Sequence, residues 1–165
     1  MEVVFGKEKI ALKGNEIKLG DKADNFTVLD NNLQEKTLDD YPSKFIVISV
    51  VPSIDTNVCE YQTKMFNKKL ADFKKVTVLT ISNDLPFAQK RWCGNAGLDS
   101  IITLSDYRDL DFAMKYGTLI ENHRLQTRAV FVLDENRTII YKEYVSNVSE
   151  HPSYEEVVKL IEEMY

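Results

Sequence analysis

Hydrophobic and polar positions follow two different periods along the chain, and these periods predict where strands and helices lie. Residues 44–51 and 76–82 are rich in β-branched side chains and are typical of central strands covered on both faces. Residues 100–106 form a shorter apolar run that predicts a third strand. Residues 57–73 and 153–165 instead carry apolar side chains at helical spacing, which predicts a helix over each segment.

The apolar stripes of these two helices are expected to face the protein core. The first stripe contains Phe66, Leu70 and Phe73, and the last contains Val157, Leu160, Ile161 and Met164. Two further helices are predicted from residues that commonly begin or end a helix. Pro86 lies near the start of residues 85–94, and Gly94 lies at their end. Gly117 closes a helix predicted over residues 108–117.

Three segments are predicted to be pairs of antiparallel strands. Residues 2–17 contain β-rich runs broken by Gly6 and Gly14, which indicates a hairpin. The other two pairs, with their turns, are residues 26–38 around Asp30–Asn32 and residues 128–145 around Asp134–Asn136. The whole order is a β-rich start, then β-α-β-α-β-α, and then β-β-α.

Alternating strands and helices imply a largely parallel central sheet with helices on both faces. The final hairpin adds antiparallel strands. The sequence therefore predicts an α/β, thioredoxin-like fold with a central mixed sheet, flanking helices and an N-terminal β-hairpin. Because no linker or repeat interrupts the pattern, residues 1–165 are expected to form one domain, with residues 1–18 as a hairpin extension.

Composition and charge narrow the classes of partner. The net charge of −5 gives no reason to expect nucleic acid or an anionic membrane as a partner. The longest apolar stretch, residues 45–51, is far too short to span a membrane. The first residues carry no secretory signal pattern, so a cytoplasmic location is expected. His123 and His151 lie far from each other and from any paired cysteines, so no metal site is expected.

Cys59 and Cys93 are the chain's two cysteines, and Cys59 lies where a helix is predicted to begin after a central strand. If Thr56 is the N-cap, the Cys59 sulfur faces unpaired N–H groups and the positive end of the helix dipole, which favour a thiolate. Pro52 can make the preceding turn rigid. Position alone leaves an inert buried thiol and a reactive nucleophile equally open. Cys93 would be unremarkable as a packed thiol.

The motif "PSIDTNVC" matches the P-x-x-x-T-x-x-C pattern of peroxiredoxins through Pro52, Thr56 and Cys59. The segments "SVVPSIDTNVC", "ISNDLPFAQKRWCG", "TLSDYRD", "YGTLI" and "RAVFVLDENRTIIY" also resemble the atypical two-cysteine branch of that family, the thiol peroxidases. The similarity runs from about Gly20 to the C-terminus, and the N-terminal hairpin also fits.

This resemblance implies that Cys59 is the peroxidatic cysteine, whose thiolate attacks a peroxide oxygen and becomes a sulfenic acid. Thr56 would hydrogen-bond the sulfur and the substrate oxygen, and Pro52 would shield the sulfur. Arg128 would hold the thiolate and polarise the O–O bond. Cys93 would be the resolving cysteine, forming an intrachain disulfide with Cys59 after local unwinding of both helices.

The resemblance further implies that thioredoxin reduces the disulfide, that no cofactor is needed, and that the protein is a homodimer. Residues 107–109 fall in the region where relatives pair. Ile54, Leu119 and Ile120 are candidate apolar contacts for an alkyl hydroperoxide, although core packing explains Leu119 and Ile120 equally well.

Three departures from the family pattern stand out. Asn57 and Asp24 replace prolines, and residues 121–127 form a shorter, more polar loop near the expected substrate groove. None of these changes removes a reacting group. Two other interpretations remain open: a general thiol–disulfide oxidoreductase, although C-x-x-C is missing because Thr56 stands three residues before Cys59, and a non-catalytic redox switch.

Overall fold

Strands and helices follow one another in the order that the hydrophobic pattern predicts, with two short strands added. The structure is a computed structural model that describes residues 1–98 and 100–165. Its strands are β1 (Glu2–Phe5), β2 (Glu8–Ala11), β3 (Val28–Leu29), β4 (Glu35–Lys36), β5 (Phe45–Val50), β6 (Val76–Ser82), β7 (Ile102–Ser105), β8 (Leu119–Ile120), β9 (Leu125–Gln126), β10 (Ala129–Leu133) and β11 (Ile139–Tyr144). Its helices are α1 (Asn57–Lys69), α2 (Pro86–Asn95), α3 (Asp111–Tyr116) and α4 (Tyr154–Met164), and single 3-10 turns lie at Leu38–Asp40 and Glu121–His123.

Seven of these strands form one mixed sheet in the spatial order β11-β10-β5-β6-β7-β3-β4. The central strands β5, β6 and β7 are parallel to one another, whereas β10 runs antiparallel to β5 and β11 runs antiparallel to β10. Parallel neighbours need a crossover, which α1 and α2 provide. Every residue of β5 is buried, as expected for a strand covered on both faces.

Alternate residues of β5 face two different apolar layers. Ile46 and Ile48 pack in a cluster with Phe112 and Tyr116 of α3. Phe45 and Val47 belong to the opposite cluster, which Phe66 of α1 and Val157 and Ile161 of α4 complete. The side chains of α2 also bond to this second face of the sheet, through Ser82 and Thr103. Three helices therefore cover the face on which α1 lies, and α3 covers the other.

Two helix boundaries differ from the prediction because tertiary contacts decide them. α1 ends at Lys69, and Phe73 lies outside it, because the chain must turn there to enter β6. Phe73 still packs against the predicted core cluster. α3 begins at Asp111, and not at residue 108. The side chain of Met164 is 42% exposed in the last turn of α4, so it does not join the buried stripe.

The small hairpin β8–β9 was not predicted, because two-residue strands carry no readable alternation. β8 pairs with β9, and a backbone bridge also joins it to Lys13. The side chain of Ile120 packs with Val3 of the β1–β2 hairpin and with Val148. These contacts attach the N-terminal hairpin to the body of the protein.

In the part of the chain that the structure describes, no helix combines the length and the apolar character needed to cross a membrane.

Candidate active site

Cys59 lies at the third position of α1, directly after the turn that leaves β5. Thr56 is the N-cap residue and has an extended backbone, as the sequence predicts, but its side chain makes no capping hydrogen bond. The Cys59 side chain is fully buried and packs with Val51 and Ile54, and Trp92 packs against this cluster. The sulfur therefore lies in an apolar environment near the positive end of a helix.

Arg128 provides the charged partner of Cys59. It directly precedes β10, whose antiparallel pairing with β5 brings residue 128 to the end of β5. Residues 51–56, called the Cys59 turn below, start from that end of the strand and lead into α1. The guanidinium is almost fully buried and donates three hydrogen bonds: from Nη2 to Cys59 Sγ at 3.3 Å, from Nη1 to Gln62 Oε1 at 2.9 Å, and from Nε to the Val148 carbonyl at 2.8 Å. A fixed positive charge at this distance stabilises negative charge on the sulfur.

Gln62 fixes the orientation of Arg128 and was not predicted from the sequence. It lies one turn after Cys59 on α1 and is completely buried. Its Nε2 donates to Ser49 Oγ at 2.8 Å and to the Val50 carbonyl at 3.3 Å, which leaves Oε1 free to accept from Arg128. A polar residue three positions after Cys59 in a helix is the signal that could have identified it.

A pocket of about 240 Å³ opens beside the sulfur. Thr56, Cys59 and Arg128 provide polar lining, and Pro52 and Phe5 are among its apolar walls. Thr56 is exposed, and its hydroxyl donates only a long 3.4 Å hydrogen bond to the Ser53 carbonyl. This hydroxyl is therefore available to a small molecule in the pocket. A peroxide bound here would face a cysteine, a hydroxyl and a guanidinium together.

The three apolar residues proposed as substrate contacts do not line this pocket. Ile54 is buried beneath the turn and packs with Cys59. Leu119 and Ile120 are buried on β8, where Ile120 packs with Val3. The apolar walls of the pocket come from four other residues, Phe5, Pro52, Val58 and Val148.

Cys93 lies in α2, one turn from its end, and is also buried. Its sulfur lies 3.6 Å from Thr103 Oγ1, and both cysteines are free thiols. Trp92, the residue before Cys93, packs against the cluster that contains Cys59. The helix that carries Cys93 thus packs against the cluster that contains Cys59, and both helices are intact around their cysteines.

The departures from the family pattern are structurally mild. Asn57 takes the first position of α1, and the helix forms without a proline there. The Asp24 carbonyl accepts a hydrogen bond from the Tyr116 hydroxyl at 2.8 Å. Residues 121–126 of the polar loop form a 3-10 turn and the short strand β9. None of these segments displaces Cys59 or Arg128.

A buried carboxylic acid, Asp106, lies outside this site. The Asp106 carboxylate accepts hydrogen bonds from the N–H groups of Phe112 and Ala113 at the start of α3, and from Gln126 Nε2. Burial is the main reason that the pKa of Asp106 rises to about 6, and the hydrogen bonds partly oppose this rise. Asp106 therefore anchors α3 to the end of β7.

Comparisons with known proteins agree with this fold and site. A model of the family described as Redoxin matches residues 18–158, so the chain belongs to the Redoxin family. Its relatives include the thiol peroxidase of Oceanobacillus iheyensis, which is 56% identical over 94% of this chain and 95% of that protein. The thiol peroxidase of Bacillus subtilis is 51% identical over 96% of this chain and 95% of its own.

Solved structures also resemble the chain. A peroxiredoxin-like protein from Aquifex aeolicus superposes with a TM-score of 0.91 at 38% identity, and the match covers 99% of this chain and 97% of that one. The thiol peroxidase of Chromobacterium violaceum, at 23% identity, shares the fold with a TM-score of 0.90 over 99% and 96% of the two chains. The predicted thioredoxin-like α/β fold and thiol peroxidase family are confirmed, and the chain is a peroxidase of the peroxiredoxin type.

Proposed function

We propose that this protein reduces hydrogen peroxide and organic hydroperoxides with Cys59 as the nucleophile, and that thioredoxin recycles it. The observation that carries the proposal is the 3.3 Å hydrogen bond from Arg128 to the Cys59 sulfur at the edge of a small pocket. Cysteine chemistry of this kind needs no metal or organic cofactor, because the sulfur itself takes up the oxygen. The names of the relatives, thiol peroxidases, support the same activity.

In the first step the Cys59 thiolate attacks the terminal oxygen of the peroxide. An S–O bond forms and the O–O bond breaks, so the sulfur is oxidised by two electrons to a sulfenic acid. The other peroxide oxygen leaves as an alkoxide or hydroxide and takes up a proton from solvent to become an alcohol or water. Arg128 stabilises the charge as it moves from sulfur to the leaving oxygen. The Thr56 hydroxyl hydrogen-bonds the substrate, and Pro52 restricts access of water to the sulfur.

In the second step Cys93 attacks the Cys59 sulfenic acid. The S–S bond forms, the S–O bond breaks, and the leaving hydroxide takes up a proton to become water. Disulfide geometry requires Cα atoms within about 7 Å, so the first turn of α1 and the last turn of α2 are proposed to unwind beforehand. Thioredoxin then reduces the bridge by thiol–disulfide exchange.

Turnover separates this function from the alternatives. A general thiol–disulfide oxidoreductase or a redox switch would use the same two cysteines without consuming peroxide catalytically. The chain has Thr56, not cysteine, three residues before Cys59, which does not favour the first alternative. The Cys59 sulfur is buried at a small pocket beside a guanidinium. This position favours reaction with a small peroxide over thiol–disulfide exchange with another protein.

The decisive assay supplies purified protein with thioredoxin, thioredoxin reductase, a nicotinamide donor and cumene hydroperoxide. The wild type should consume peroxide, and Cys59→Ser should abolish consumption because no other nucleophile replaces the sulfur. Cys93→Ser should react once with peroxide but should not be recycled by thioredoxin. Normal turnover by Cys59→Ser would refute the assignment.

Several finer points stay predictions. They are the homodimer that pairs near residues 107–109, the cytoplasmic location and contact of substrate with Ile54, Leu119 or Ile120. The placement of these three aliphatic residues away from the pocket supports a larger role for Phe5 and Val58 in contacting an alkyl group.

A further inference from the structure

Asp84 joins the loop that precedes Cys59 to the end of a neighbouring strand. Its carboxylate accepts hydrogen bonds from Ser53 Oγ at 2.7 Å and from the Ile54 backbone N–H at 2.8 Å. It also accepts one from Ser82 Oγ, at the end of β6, at 2.6 Å. One side chain therefore ties the turn after β5 to the segment that follows β6.

Asp84 also lies close to the start of the helix that carries the second cysteine. It stands two residues before Pro86, where α2 begins, and α2 carries Cys93 near its end. The Asp84 carbonyl accepts a hydrogen bond from the Ser105 hydroxyl, which fixes this segment to β7 as well. Asp84 is thus bonded to the loop just before the first turn of α1, which is one of the two turns that must unwind for a Cys59–Cys93 disulfide, and it stands just before α2, whose last turn is the other.

The contact with Ile54 transmits the position of Asp84 to the sulfur. The Ile54 side chain is almost fully buried and packs directly with Cys59. Its N–H has the Asp84 carboxylate as a charged acceptor, and such hydrogen bonds are about twice as strong as neutral ones. Within the described residues, no lysine, arginine or histidine forms an ion pair with Asp84, so its hydrogen bonds are what hold the carboxylate.

We propose that Asp84 is a positioning residue that holds the Cys59 turn in its peroxide-reactive form and thereby sets the balance between peroxide reduction and disulfide formation. The proposal rests on the function proposed above. With Asp84 in place the turn keeps Cys59 beside Arg128. Without it, the turn opens more often, which slows attack on peroxide and speeds attack by Cys93.

The two effects change the fate of the sulfenic acid in a characteristic way. A second peroxide oxidises the sulfenate to a sulfinate by transferring one oxygen to sulfur and leaving as an alcohol or water. This reaction competes with the attack of Cys93, which removes the sulfenic acid. Loss of Asp84 is therefore expected to lower the rate of the first step and also to lower the fraction of protein lost as sulfinate.

Three variants test the role of this carboxylate. Asp84→Ala removes all three hydrogen bonds. Asp84→Asn keeps one oxygen that can accept from Ile54 and Ser82, while its amide group can donate to Ser53, so its effects should be smaller than those of alanine. Asp55→Ala is the matched control. Asp55 and Asp84 both line a second cavity, of about 220 Å³, next to Trp92, and they carry the same charge, but the Asp55 carboxylate accepts no hydrogen bond within the described residues.

Hydrogen exchange of the dithiol form measures opening of the turn directly. Amides of residues 56–62 should exchange about tenfold faster in Asp84→Ala than in the wild type, since tenfold corresponds to 1.4 kcal/mol, about the size of one charge-assisted hydrogen bond. Mass spectrometry after repeated peroxide additions should show about tenfold less Cys59 sulfinate per turnover. A general loss of stability would accelerate exchange across the sheet as well, and would not protect Cys59 from overoxidation.

The outcomes separate this proposal from the function on which it rests. A wild type that does not consume cumene hydroperoxide would refute the function itself. If the wild type turns over and Asp84→Ala matches Asp55→Ala in both exchange and sulfinate yield, the role of Asp84 alone is overturned. Faster exchange together with more sulfinate would also contradict it, because an opened turn would then not favour Cys93.

Discussion

Replacing Arg128 by lysine tests how the proposed peroxidatic site stabilises charge. The substitution keeps the positive charge but removes the planar fork that donates to Cys59, Gln62 and Val148 at once. A single ammonium group cannot reproduce three donors in fixed directions. We expect the lysine to bond the nearer oxygen acceptors and to lose the contact with the sulfur.

The size of the effect follows from that one contact. A hydrogen bond to a charged group contributes about 1.5–3 kcal/mol, and about 1.4 kcal/mol corresponds to a tenfold change in rate. Losing the Nη2–Sγ hydrogen bond of 3.3 Å should therefore slow the reaction of Cys59 with peroxide about 10- to 100-fold. The reaction of Cys93 with the sulfenic acid should change much less, because Arg128 makes no hydrogen bond with Cys93.

Stopped-flow fluorescence can measure this first step in single turnover. Trp92 is the chain's single tryptophan and packs against the cluster that contains Cys59, so its emission should report oxidation of that sulfur. Arg124→Lys is the control, since Arg124 is an exposed arginine outside the site. A folded Arg128→Lys protein that reacts with peroxide within about twofold of the Arg124→Lys rate would refute this account of the hydrogen bond.

Three further substitutions, one of them a control, test the electrostatics and the backbone away from Cys59. Burial raises the pKa of Asp106 to about 6, which means that the folded protein favours the protonated, uncharged acid. The stability gained from this preference is present near pH 4 and is lost as the pH rises through about 6. In urea denaturation, the wild type should therefore lose about 3 kcal/mol of unfolding free energy relative to Asp106→Asn between about pH 4 and about pH 8, and a constant difference would contradict this. Gly117→Ala should cost more than about 2 kcal/mol, because φ is +66° and a Cβ would lie 2.7 Å from the Asn15 carbonyl oxygen. Gly6→Ala, at φ +65° with open space around it, should cost only about 1 kcal/mol, and equal losses would rule out the steric argument.

Most of the fold could be predicted from the sequence because its elements are long enough to show a period. The buried strands β5 and β6 and the helix α4 fall close to their predicted bounds. Short elements were missed because they show no period, and the strands of the β8–β9 hairpin have only two residues each. The end of α1 was misplaced for a different reason: it depends on where the chain must turn to enter β6.

The candidate site was only partly predictable. The position of Cys59 in the first turn of a helix follows from residues within a few positions of it, including the Thr56 N-cap. Gln62 and Asp84 escaped notice because a polar residue in a helix or loop is usually solvated. Their importance becomes visible only when α1 packs on β5 and the ends of β5 and β6 lie side by side.

The sequence by itself determined the order of strands and helices and the placement of a cysteine at a helix start, since periodicity and capping are local properties. The family resemblance implied a contact between Arg128 and Cys59, and the tertiary structure decided its geometry, a hydrogen bond of 3.3 Å between residues 69 positions apart. The tertiary structure also decided that both cysteines are buried in intact helices and that Asp84 fastens the Cys59 turn. Such contacts depend on which strands pair and in what register, and no local pattern of residues specifies that pairing.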